Sequence, residues 1–424
     1  MRPLRFCHFT TFYPPYNFGG DGIGIQRLCR ALARRGHEVT VVHDADAYNA
    51  LHHGPEPRAE PDPDGVRTVA VKSGLGSLSC LLTQQLGRPV VHRRRFERLL
   101  AEGDFDVVNY HNVSLVGGPG LLSLGDATKL YMAHEHWLVC PSHVLWRHGR
   151  ELCDGRQCLR CVLHYRRPPQ LWRATNAIAR HGRDVDAFIA MSEFSRRKHA
   201  EFGFPFEMEV LPYFLPDPQP GSTRPRGNAA TRPHPRPYFL FVGRLERIKG
   251  LQDVIPLFAD YDGADLVIAG TGEYEAELRR LAQGLERVHF LGRISAEDLD
   301  RYYKHAEALI VPSICFETFG IILIEAFTNG IPVIARRLGP FPEIVETAGA
   351  GELFETPAEL VAAMQRIRTD PAHRERLAEN GYRAYLERWS ESAVIPRYLD
   401  IVRRAAEHRG DARLLEALGP PGNG

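Results

Sequence analysis

Two glutamates, Glu317 and Glu325, lie eight residues apart on either side of Gly320. The apolar run Ala308 to Val311 precedes them, and Asn329-Gly-Ile-Pro332 follows with a further apolar run. This pattern predicts strand, loop, helix, turn and strand, with Glu317 at the carboxyl edge of a parallel sheet and Glu325 in the early helical turns. Carboxylates only accept hydrogen bonds, so the pair suits a ligand rich in hydroxyl groups. The spacing alone equally fits two solvated acids beside a helix start, which favours acidic residues.

Two basic residues, Arg244 and Lys249, follow another apolar run in the segment Gly243-Arg-Leu-Glu-Arg-Ile-Lys-Gly250. The segment connects a predicted strand to a helical pattern. An arginine fork and a lysine charge at such a connection form a plausible diphosphate clamp. Two exposed basic residues in a loop would give the same pattern. The edge that they share with Glu317 and Glu325 favours the anion site.

The first half of the chain contains a glycine-rich connection, Asn17-Phe-Gly-Gly-Asp-Gly-Ile-Gly24, between the first predicted strand and helix. Glycines let backbone N–H groups approach an anion closely at a helix start. The spacing is not GxGxxG, which argues against an ordinary dinucleotide site.

Short apolar runs alternate with helical patterns in two successive blocks. In the first block, the helix predicted from Gly24 to Arg35 lies between two strands and completes a β-α-β unit. Ser192 is the predicted N-cap of a helix from Glu193 to Phe202. Further helices are predicted from Gly250 to Phe258, Tyr274 to Gln283 and Ser295 to His305, with a helical tail from Glu359 to Arg409 broken at Pro371 and Pro396. The predicted strands are Leu4–Phe9, Val39–Val42, Val66–Val71, Val107–Tyr110, Lys129–Ala133, Ala187–Ala190, Tyr238–Val242, Leu266–Ala269, Val288–Leu291, Ala308–Val311 and Pro332–Ala335.

A proline-rich stretch between Leu215 and Pro237 separates the blocks. Such a stretch cannot build a core and behaves as a semi-rigid connector. The predicted fold class is therefore α/β, with two facing, doubly wound, Rossmann-like domains and a ligand cleft between them. We expect an N-terminal domain over 1–215 with a cysteine-rich segment at 140–161, a linker at 216–237, a C-terminal domain over 238–388 and a helical tail at 389–424.

The order of these motifs resembles the family 4 retaining glycosyltransferases of the GT-B fold. The resemblance covers Leu4 to about Trp389 and combines the EX7E pair Glu317…Glu325 with motifs that precede it: Gly19-Gly20, Gly243-Arg244…Lys249-Gly250 and Gly270-Thr-Gly272. It implies an acceptor-side N-terminal domain, a nucleotide-sugar-binding C-terminal domain and a tail that crosses back to the first domain.

The resemblance also implies a role for each matching residue. Arg244 and Lys249 would neutralise the donor diphosphate as it leaves, and Gly20 would bring the first-domain loop onto the phosphate. Glu325 would accept hydrogen bonds from the ribose, and Glu317 would contact the transferred sugar.

Three further positions complete the implied donor site. Backbone N–H groups around Phe319 and Gly320 would bind sugar hydroxyls or phosphate. The segment ending in Ile294 would border the nucleobase. His134 is similar to the family's histidine near the donor sugar, and the implied catalytic set is therefore Glu317, His134, Arg244 and Lys249.

The implied reaction is hexosyl transfer with retention of anomeric configuration, without a metal ion or any other catalytic cofactor. Asp44-Ala-Asp46 has the form of a DxD pair but follows the second strand of the acceptor-side domain, where a diphosphate-bound metal is not expected. The donor is expected to be a UDP- or GDP-sugar and the acceptor a hydroxyl group, on a lipid-linked, phosphorylated or natural-product molecule. Two alternatives stay open: a non-catalytic nucleotide-sugar or glycan-binding protein, and a nucleotide-sugar hydrolase or epimerase on the same fold.

Four cysteines in a short segment depart from the family pattern: Cys140, Cys153, Cys158 and Cys161. The Cys158-x-x-Cys161 spacing is typical of a metal knuckle, and the other two would complete a tetrahedral, structural zinc site. A reduced, metal-free loop fits the same pattern. The segment follows His134 and would shape the acceptor pocket. Its arginines would suit a phosphorylated acceptor, or they belong to an ordinary solvated loop. These arginines are Arg147, Arg150, Arg156, Arg160, Arg166 and Arg167.

Overall charge and hydropathy limit the other classes of function. The 53 lysines and arginines nearly balance the 52 aspartates and glutamates, which argues against a nucleic-acid partner. No apolar run approaches the length needed to span a bilayer, so we expect a cytoplasmic protein, with peripheral membrane contact still open.

Two remaining positions each allow two interpretations. His111 either lines the acceptor cleft or is a satisfied strand-end histidine, and Glu343 either faces the cleft or caps a helix.

Overall fold

The computed structural model describes residues 2–52, 57–58, 61–221, 223–225 and 232–419. The chain divides into two compact units. Unit 1 comprises Met1–Tyr213 with Val394–Gly424, and unit 2 comprises Phe214–Ala393. Residues 222 and 226–231 of the expected linker lie outside the described residues.

A seven-stranded sheet forms the centre of unit 1, in the order β3-β2-β1-β4-β5-β8-β9, and every neighbouring pair is parallel. A separate antiparallel hairpin joins β6 to β7. The strands are β1 (Arg5–Phe9), β2 (Glu38–Asp44), β3 (Arg67–Val71), β4 (Val107–Tyr110), β5 (Thr128–Ala133), β6 (Trp146–Arg147), β7 (Glu151–Leu152), β8 (Ala187–Ala190) and β9 (Glu209–Val210). The helices before unit 2 are α1 (Gly20–Arg34), α2 (Ala45–Leu51), α3 (Ser77–Leu86), α4 (Arg93–Gly103), α5 (Cys158–His164), α6 (Ala177–Gly182) and α7 (Glu193–Glu201).

Unit 2 has a six-stranded parallel sheet in the order β12-β11-β10-β13-β14-β15. Its strands are β10 (Tyr238–Val242), β11 (Asp265–Ala269), β12 (Val288–Gly292), β13 (Leu309–Val311), β14 (Val333–Arg336) and β15 (Gly351–Phe354). Its helices are α8 (Glu275–Leu281), α9 (Ala296–His305), α10 (Ile321–Thr328), α11 (Phe341–Ala348), α12 (Pro357–Thr369) and α13 (Pro371–Ala384). A π-helical turn, Tyr385–Trp389, precedes α14 (Glu391–Arg409) and α15 (Ala412–Leu418).

The central strands are buried along their length, as expected for parallel sheets covered on both faces. In β10, Tyr238 to Phe241 are all buried, and so is every residue of β4. The C-terminal helices complete unit 1, because Asn109 in β4 donates to the Tyr398 hydroxyl (3.2 Å) and Thr128 in β5 donates to Asp411 (2.9 Å).

All eleven predicted strands are present with small shifts in their bounds, but β6, β7, β9 and β15 were not predicted. Three helix predictions also need correction. Helix α1 begins at Gly20 rather than Gly24, so most of the glycine-rich connection is helical. The stretch from Gly250 to Phe258 forms short 3₁₀ turns instead of one helix, with Pro256 in the last of them, where it removes a backbone donor. Pro396 does not break the tail: it lies inside α14, whose apolar residues on either side are buried.

No helix among the described residues has both the length and the apolar character required to cross a membrane.

Candidate functional site

The strand order of unit 2 reverses between β10 and β13: β11 and β12 extend the sheet on one side, and β14 and β15 on the other. Ligands of open parallel sheets bind beyond the carboxyl ends of the strands at such a reversal. Lys249 lies in the connection that follows β10, and Glu317 in the connection that follows β13. The two residues therefore flank the position where this fold places a ligand.

Lys249 and Glu317 form an ion pair across the reversal, with 2.7 Å between Lys249 Nζ and Glu317 Oε1. The Ser313 hydroxyl donates to the same carboxylate oxygen at 3.2 Å. Burial acts to lower the pKa of Lys249, but the carboxylate of Glu317 outweighs it, and the pKa is raised. Burial acts to raise the pKa of Glu317, yet Lys249 holds that pKa below its usual range. Both groups are therefore charged at neutral pH.

The loop that carries Lys249 is held against the loop after β13 by direct backbone contact. Gly250 has φ +79°, and a Cβ there would lie 2.0 Å from the Pro312 carbonyl oxygen. The Ile314 amide donates to the Ile248 carbonyl at 2.9 Å. Only glycine fits this approach, which keeps Lys249 within reach of Glu317.

Glycines after β11 bring a third loop into the same group. Gly270 has φ +143°, and a Cβ there would lie 1.9 Å from the Gly243 carbonyl oxygen. A Cβ at Gly272 would lie 2.3 Å from the Leu245 carbonyl oxygen, and the Leu245 amide donates to Thr271 at 2.9 Å. The Gly270-Thr-Gly272 motif therefore packs backbone against backbone beside Arg244.

Arg244 extends from this packed base towards solvent. Its side chain is 60% exposed, and its guanidinium lies 2.7 Å from the Glu246 carboxylate. Surface pairs of this kind are weak, so the arginine can exchange this partner for another anionic group at little cost.

Glu325 lies on α10, in the helix that follows the Glu317 loop. The Tyr303 hydroxyl, from the C-terminal turn of α9, donates to Glu325 Oε2 at 3.3 Å. Gly320 is the N-cap of α10 with φ +105°, and a Cβ there would lie 2.7 Å from the Phe341 ring. The neighbouring Phe319 side chain is buried, so a ligand would meet its backbone rather than its ring.

Ile294 lies between β12 and α9, and its side chain is half-buried. Gly292 ends β12 with φ +67°, and Ser295 caps α9 by accepting from the Asp298 amide at 3.0 Å. The segment is thereby fixed at both ends, at the carboxyl edge of the same sheet that carries Lys249.

In unit 1, the first turn of α1 is the counterpart of this arrangement, because it follows β1 at the reversal between β1 and β4. A Cβ at Gly20 would meet nothing within 4 Å, so its backbone is open to a ligand. Gly22 and Gly24 are needed for close packing. A Cβ at Gly22 would lie 2.3 Å from the Asn17 side chain, and a Cβ at Gly24 would lie 2.3 Å from the Tyr213 ring. Of these three helical glycines, Gly20 fits an anion-binding role, and the other two serve packing.

Three buried histidines form a hydrogen-bonded chain at the same edge of the unit 1 sheet. His8 Nδ1 lies 2.9 Å from His111 Nε2, and His111 Nδ1 lies 2.8 Å from His134 Nε2. The chain continues from His134 Nδ1 to the Tyr213 hydroxyl at 2.5 Å, and Tyr213 packs on Gly24 of α1. It therefore connects β1, β4 and β5 to the start of α1.

Burial keeps this chain neutral. It lowers the pKa of both His8 and His134 to about 3, and it lowers the pKa of His111 with additional repulsion from its two neighbours. The structure thus identifies His111 as a satisfied strand-end histidine. Both ring nitrogens of His134 already bond to protein groups, so any contact between its side chain and a sugar would use other ring atoms.

The sequence analysis did not identify His8 or Tyr213 as members of this chain. For His8 a signal was available, because it is a lone histidine between Cys7 and Phe9 in an otherwise apolar, buried strand. Tyr213 carried no signal, because its partners are 79 and 189 residues away, at His134 and Gly24.

The Asp44-Ala-Asp46 pair caps and packs a helix. Asp44 accepts from the Ala47 amide at 3.0 Å as N-cap of α2, and Asp46 accepts from Ser73. Donor atoms of Asp44, Asp46 and His92 lie within 4.8 Å of one another, and all three are buried. The group belongs to unit 1, whereas the reversal between β10 and β13 belongs to unit 2.

All four predicted zinc ligands line one small cavity in unit 1: Cys140, Cys153, Cys158 and Cys161. Two arginines of the segment are already engaged with protein groups, since Arg147 pairs with Glu151 and Asp154 and Arg156 donates to the Phe202 carbonyl.

Glu343 lies in the first turn of α11.

Two family profiles match the chain in tandem. The profile described as Glycosyltransferase Family 4 matches residues 18–215, and the one described as Glycosyl transferases group 1 matches residues 227–384. Between them they cover nearly all of both parallel sheets. The chain belongs to the family 4 glycosyltransferases.

Individual relatives agree with the family. An uncharacterized glycosyltransferase of Methanocaldococcus jannaschii is 31% identical over 179 residues, a match that spans 40% of this chain and only 46% of the relative. The MMP alpha-(1->4)-mannosyltransferase of Mycolicibacterium hassiacum is 26% identical over 420 residues, covering 91% of this glycosyltransferase and 95% of the relative. The solved structure of Anabaena HepE in complex with UDP-glucose aligns with a TM-score of 0.64 at 18% identity, covering 96% of this chain and 100% of that one. The predicted GT-B fold class is confirmed.

The buried histidine chain predicts that acid destabilises this glycosyltransferase. The unfolded chain binds protons near the ordinary histidine pKa of 6.5, whereas folded His8 and His134 resist protonation down to about 3. Stability should therefore be fully present above pH 6.5 and be lost as the pH falls towards 3. Each such histidine should contribute about 1.4 kcal/mol per pH unit in that window. The measurement is the free energy of unfolding in urea as a function of pH.

The His8→Asn variant should show a shallower loss with pH, whatever its absolute stability. His408→Gln, on the exposed face of α14, is the matched control and should keep the wild-type slope. Equal slopes in wild type and His8→Asn would contradict the neutral chain.

Proposed function

We propose that this glycosyltransferase transfers a hexosyl group from a nucleotide diphosphate sugar to a hydroxyl acceptor with retention of anomeric configuration, without a metal ion in the transfer step. The observation that carries the proposal is the Lys249–Glu317 ion pair at the reversal of the unit 2 sheet, with Arg244 extending from the same packed loops. Lys249 and Arg244 are positive groups beside this reversal, and open parallel sheets bind their ligands at such a point, which supports a diphosphate there.

Departure of the diphosphate is the step that these cations assist. Negative charge grows on the phosphate oxygens as the bond between the sugar and the diphosphate breaks. Lys249 is already protonated and held in place by Glu317, so little reorganisation is needed when the charge develops. Arg244 adds a planar fork that can bind two phosphate oxygens at once. Because side chains supply this charge, the proposed reaction needs no divalent cation.

Glu325 and Ile294 would hold the nucleoside. A carboxylate accepts hydrogen bonds from both ribose hydroxyls, and Tyr303 orients that of Glu325 from α9. Ile294, fixed between β12 and α9, offers apolar contact to the base. The neighbouring structure with UDP-glucose makes UDP-sugars the first donors to test, with GDP-sugars second.

Glu317 and the backbone around Phe319 and Gly320 would hold the transferred sugar. Lys249 and Ser313 both bond to Glu317 Oε1, so contact with a sugar hydroxyl falls to Oε2. In the proposed step, the acceptor oxygen bonds to the anomeric carbon from the face that the diphosphate leaves. The acceptor proton passes to a departing phosphate oxygen. Gly20 keeps its assigned role at the phosphate, and His134 is assigned a positioning role through Tyr213 and α1.

The acceptor is proposed to be a hydroxyl compound, and a phosphorylated or lipid-linked one is less favoured than the sequence suggested. The arginine-rich segment was the reason to expect a phosphate, yet Arg147 and Arg156 are engaged with Glu151, Asp154 and the Phe202 carbonyl. Natural-product and glycan acceptors belong in the same screen.

The decisive experiment is product stereochemistry. A thermal-shift screen against UDP-, GDP-, dTDP- and ADP-sugars identifies the donor, and proton NMR of the product with candidate acceptors then reads the anomeric configuration. We expect the donor configuration to be kept, and added Mg²⁺ or Mn²⁺ to leave the rate unchanged. An inverted product or a divalent-cation requirement would overturn the proposal. Free sugar or an epimerised nucleotide sugar formed without any acceptor would favour a hydrolase or epimerase, and donor binding without any reaction would favour a binding protein.

Removing Lys249 should affect turnover more than donor binding. Loss of one preorganised charge donor typically costs roughly 10²- to 10³-fold in kcat, and we expect Lys249→Ala to fall in that range. Steady-state kinetics at saturating donor measures it. Arg247→Ala, an exposed residue of the same 3₁₀ turn, is the matched control and should keep the wild-type rate. Because Lys249→Ala leaves a partly buried carboxylate unpaired, its unfolding should be measured alongside, and an unchanged kcat in a folded variant would refute the assignment.

Removing Glu325 should instead weaken binding of the nucleotide. Hydrogen bonds to a charged group are worth about 1.5–3 kcal/mol, so the Kd of the nucleoside diphosphate should rise roughly 10- to 100-fold in Glu325→Ala. Isothermal titration calorimetry gives this value directly. Glu297→Ala, an exposed acid in the first turn of α9, serves as the control. Wild-type affinity in Glu325→Ala would place the ribose elsewhere.

A further inference from the structure

The segment from Cys140 to Cys161 folds as a small substructure of its own within unit 1. The Cys140 amide donates to the His136 carbonyl at 2.7 Å, and the hairpin of β6 and β7 follows. The Cys153 amide then donates back to the Leu145 carbonyl at 2.8 Å, and α5 begins at Cys158. Three short elements therefore present cysteines from separate turns: a tight loop, the end of a hairpin, and the first turn of a helix.

The four cysteines surround a single cavity of about 20 Å³. The remaining lining includes the apolar Pro141 and Trp146. A space of this size holds roughly one water-sized particle. It therefore has room for one metal ion.

The four cysteines are free thiols in the structure. Cys140 and Cys161 are buried, and Cys153 and Cys158 are half-buried. The backbone N–H of His148 donates to Cys161 Sγ at 3.5 Å, an interaction that stabilises negative charge on sulfur.

A buried cation lies close to the same sulfurs. Arg173 donates to the main-chain carbonyls of Trp137 (2.5 Å) and Leu138 (3.5 Å) and stacks on Trp172. Burial lowers the pKa of Arg173 to about 10, and the nearby Cys140 and Cys158 act in the opposite direction. Four thiolates around a divalent ion carry a net negative charge that Arg173 would partly offset.

The sulfurs stand apart around the cavity in this structure. Within the described ranges, the groups of three or more possible ligands whose donor atoms lie within 4.8 Å of one another are His234–Asp265–His289 and Asp44–Asp46–His92. A cysteine side chain rotates about χ1 between staggered positions without moving the backbone, and binding of one ion by all four sulfurs requires such rotation.

We propose that Cys140, Cys153, Cys158 and Cys161 bind one zinc ion in a tetrahedral site that closes this segment. Zinc–sulfur bonds of about 2.3 Å and four protein ligands are typical of structural zinc, which leaves no position for a substrate. Each thiol gives its proton to solvent as its sulfur bonds to the metal, so binding weakens at low pH. The site would stabilise unit 1 and plays no part in the transfer chemistry proposed above.

Metal analysis of protein purified without chelator tests the proposal. We expect about one zinc per chain, and loss of that zinc in the Cys158→Ser and Cys161→Ser variants. Cys80→Ser, a buried cysteine of α3 outside the segment, is the matched control and should keep the zinc. Replacement by Co²⁺ should give the intense sulfur-to-cobalt absorption and the visible bands of a tetrahedral thiolate site.

A second measurement covers variants that fail to fold. Titration of wild-type protein with an organomercurial should release the zinc as four thiols react. A metal-binding dye in the same solution measures the released zinc. Metal-free native protein, iron with acid-labile sulfide, a Cys158–Cys161 disulfide, or zinc kept by Cys158→Ser would each overturn the proposal. None of these measurements involves a sugar donor, so the zinc site and the proposed transfer reaction can fail independently.

Discussion

The candidate site of unit 2 depends on one charge pair held across the reversal of its parallel sheet. Lys249 and Glu317 come from connections 68 residues apart, and the sheet brings them to 2.7 Å. A lysine in such a half-buried position would lose charge through desolvation, and the glutamate prevents this. The pair therefore keeps Lys249 charged, and the close backbone approach at Gly250 keeps the lysine within reach of Glu317.

Much of this arrangement was predictable from local sequence. Strands such as Val107–Tyr110 and Tyr238–Val242 are short, continuous apolar runs between polar turns, and the structure has them at the predicted bounds. Ser192 caps α7 as predicted, and Ser295, which was predicted as the first residue of a helix, is the N-cap of α9. Because carboxyl ends of parallel strands share one edge, correct strands were enough to group the charged residues after β10 and β13.

What escaped prediction depends on contacts between distant parts of the chain. The start of α1 was placed at Gly24 because glycine-rich sequence resembles a loop, yet Tyr213 packs on that residue from far along the chain. Pro396 was expected to break the tail, but burial of its neighbours Val394 and Ile395 stabilises α14 across it. Local sequence propensity carries no information about either contact, so a short segment of sequence could not predict them.

The two ends of the histidine chain in unit 1 differ in their hydrogen bonding. Tyr213 closes one end, whereas His8 Nε2 is buried at the other and has no hydrogen-bond partner among the described residues. Reversing the tautomers of all three neutral rings would need one proton to enter at His134 Nδ1 and another to leave at His8 Nε2, where no described residue accepts it. The chain therefore holds its three rings in a fixed orientation and does not conduct protons through the sheet.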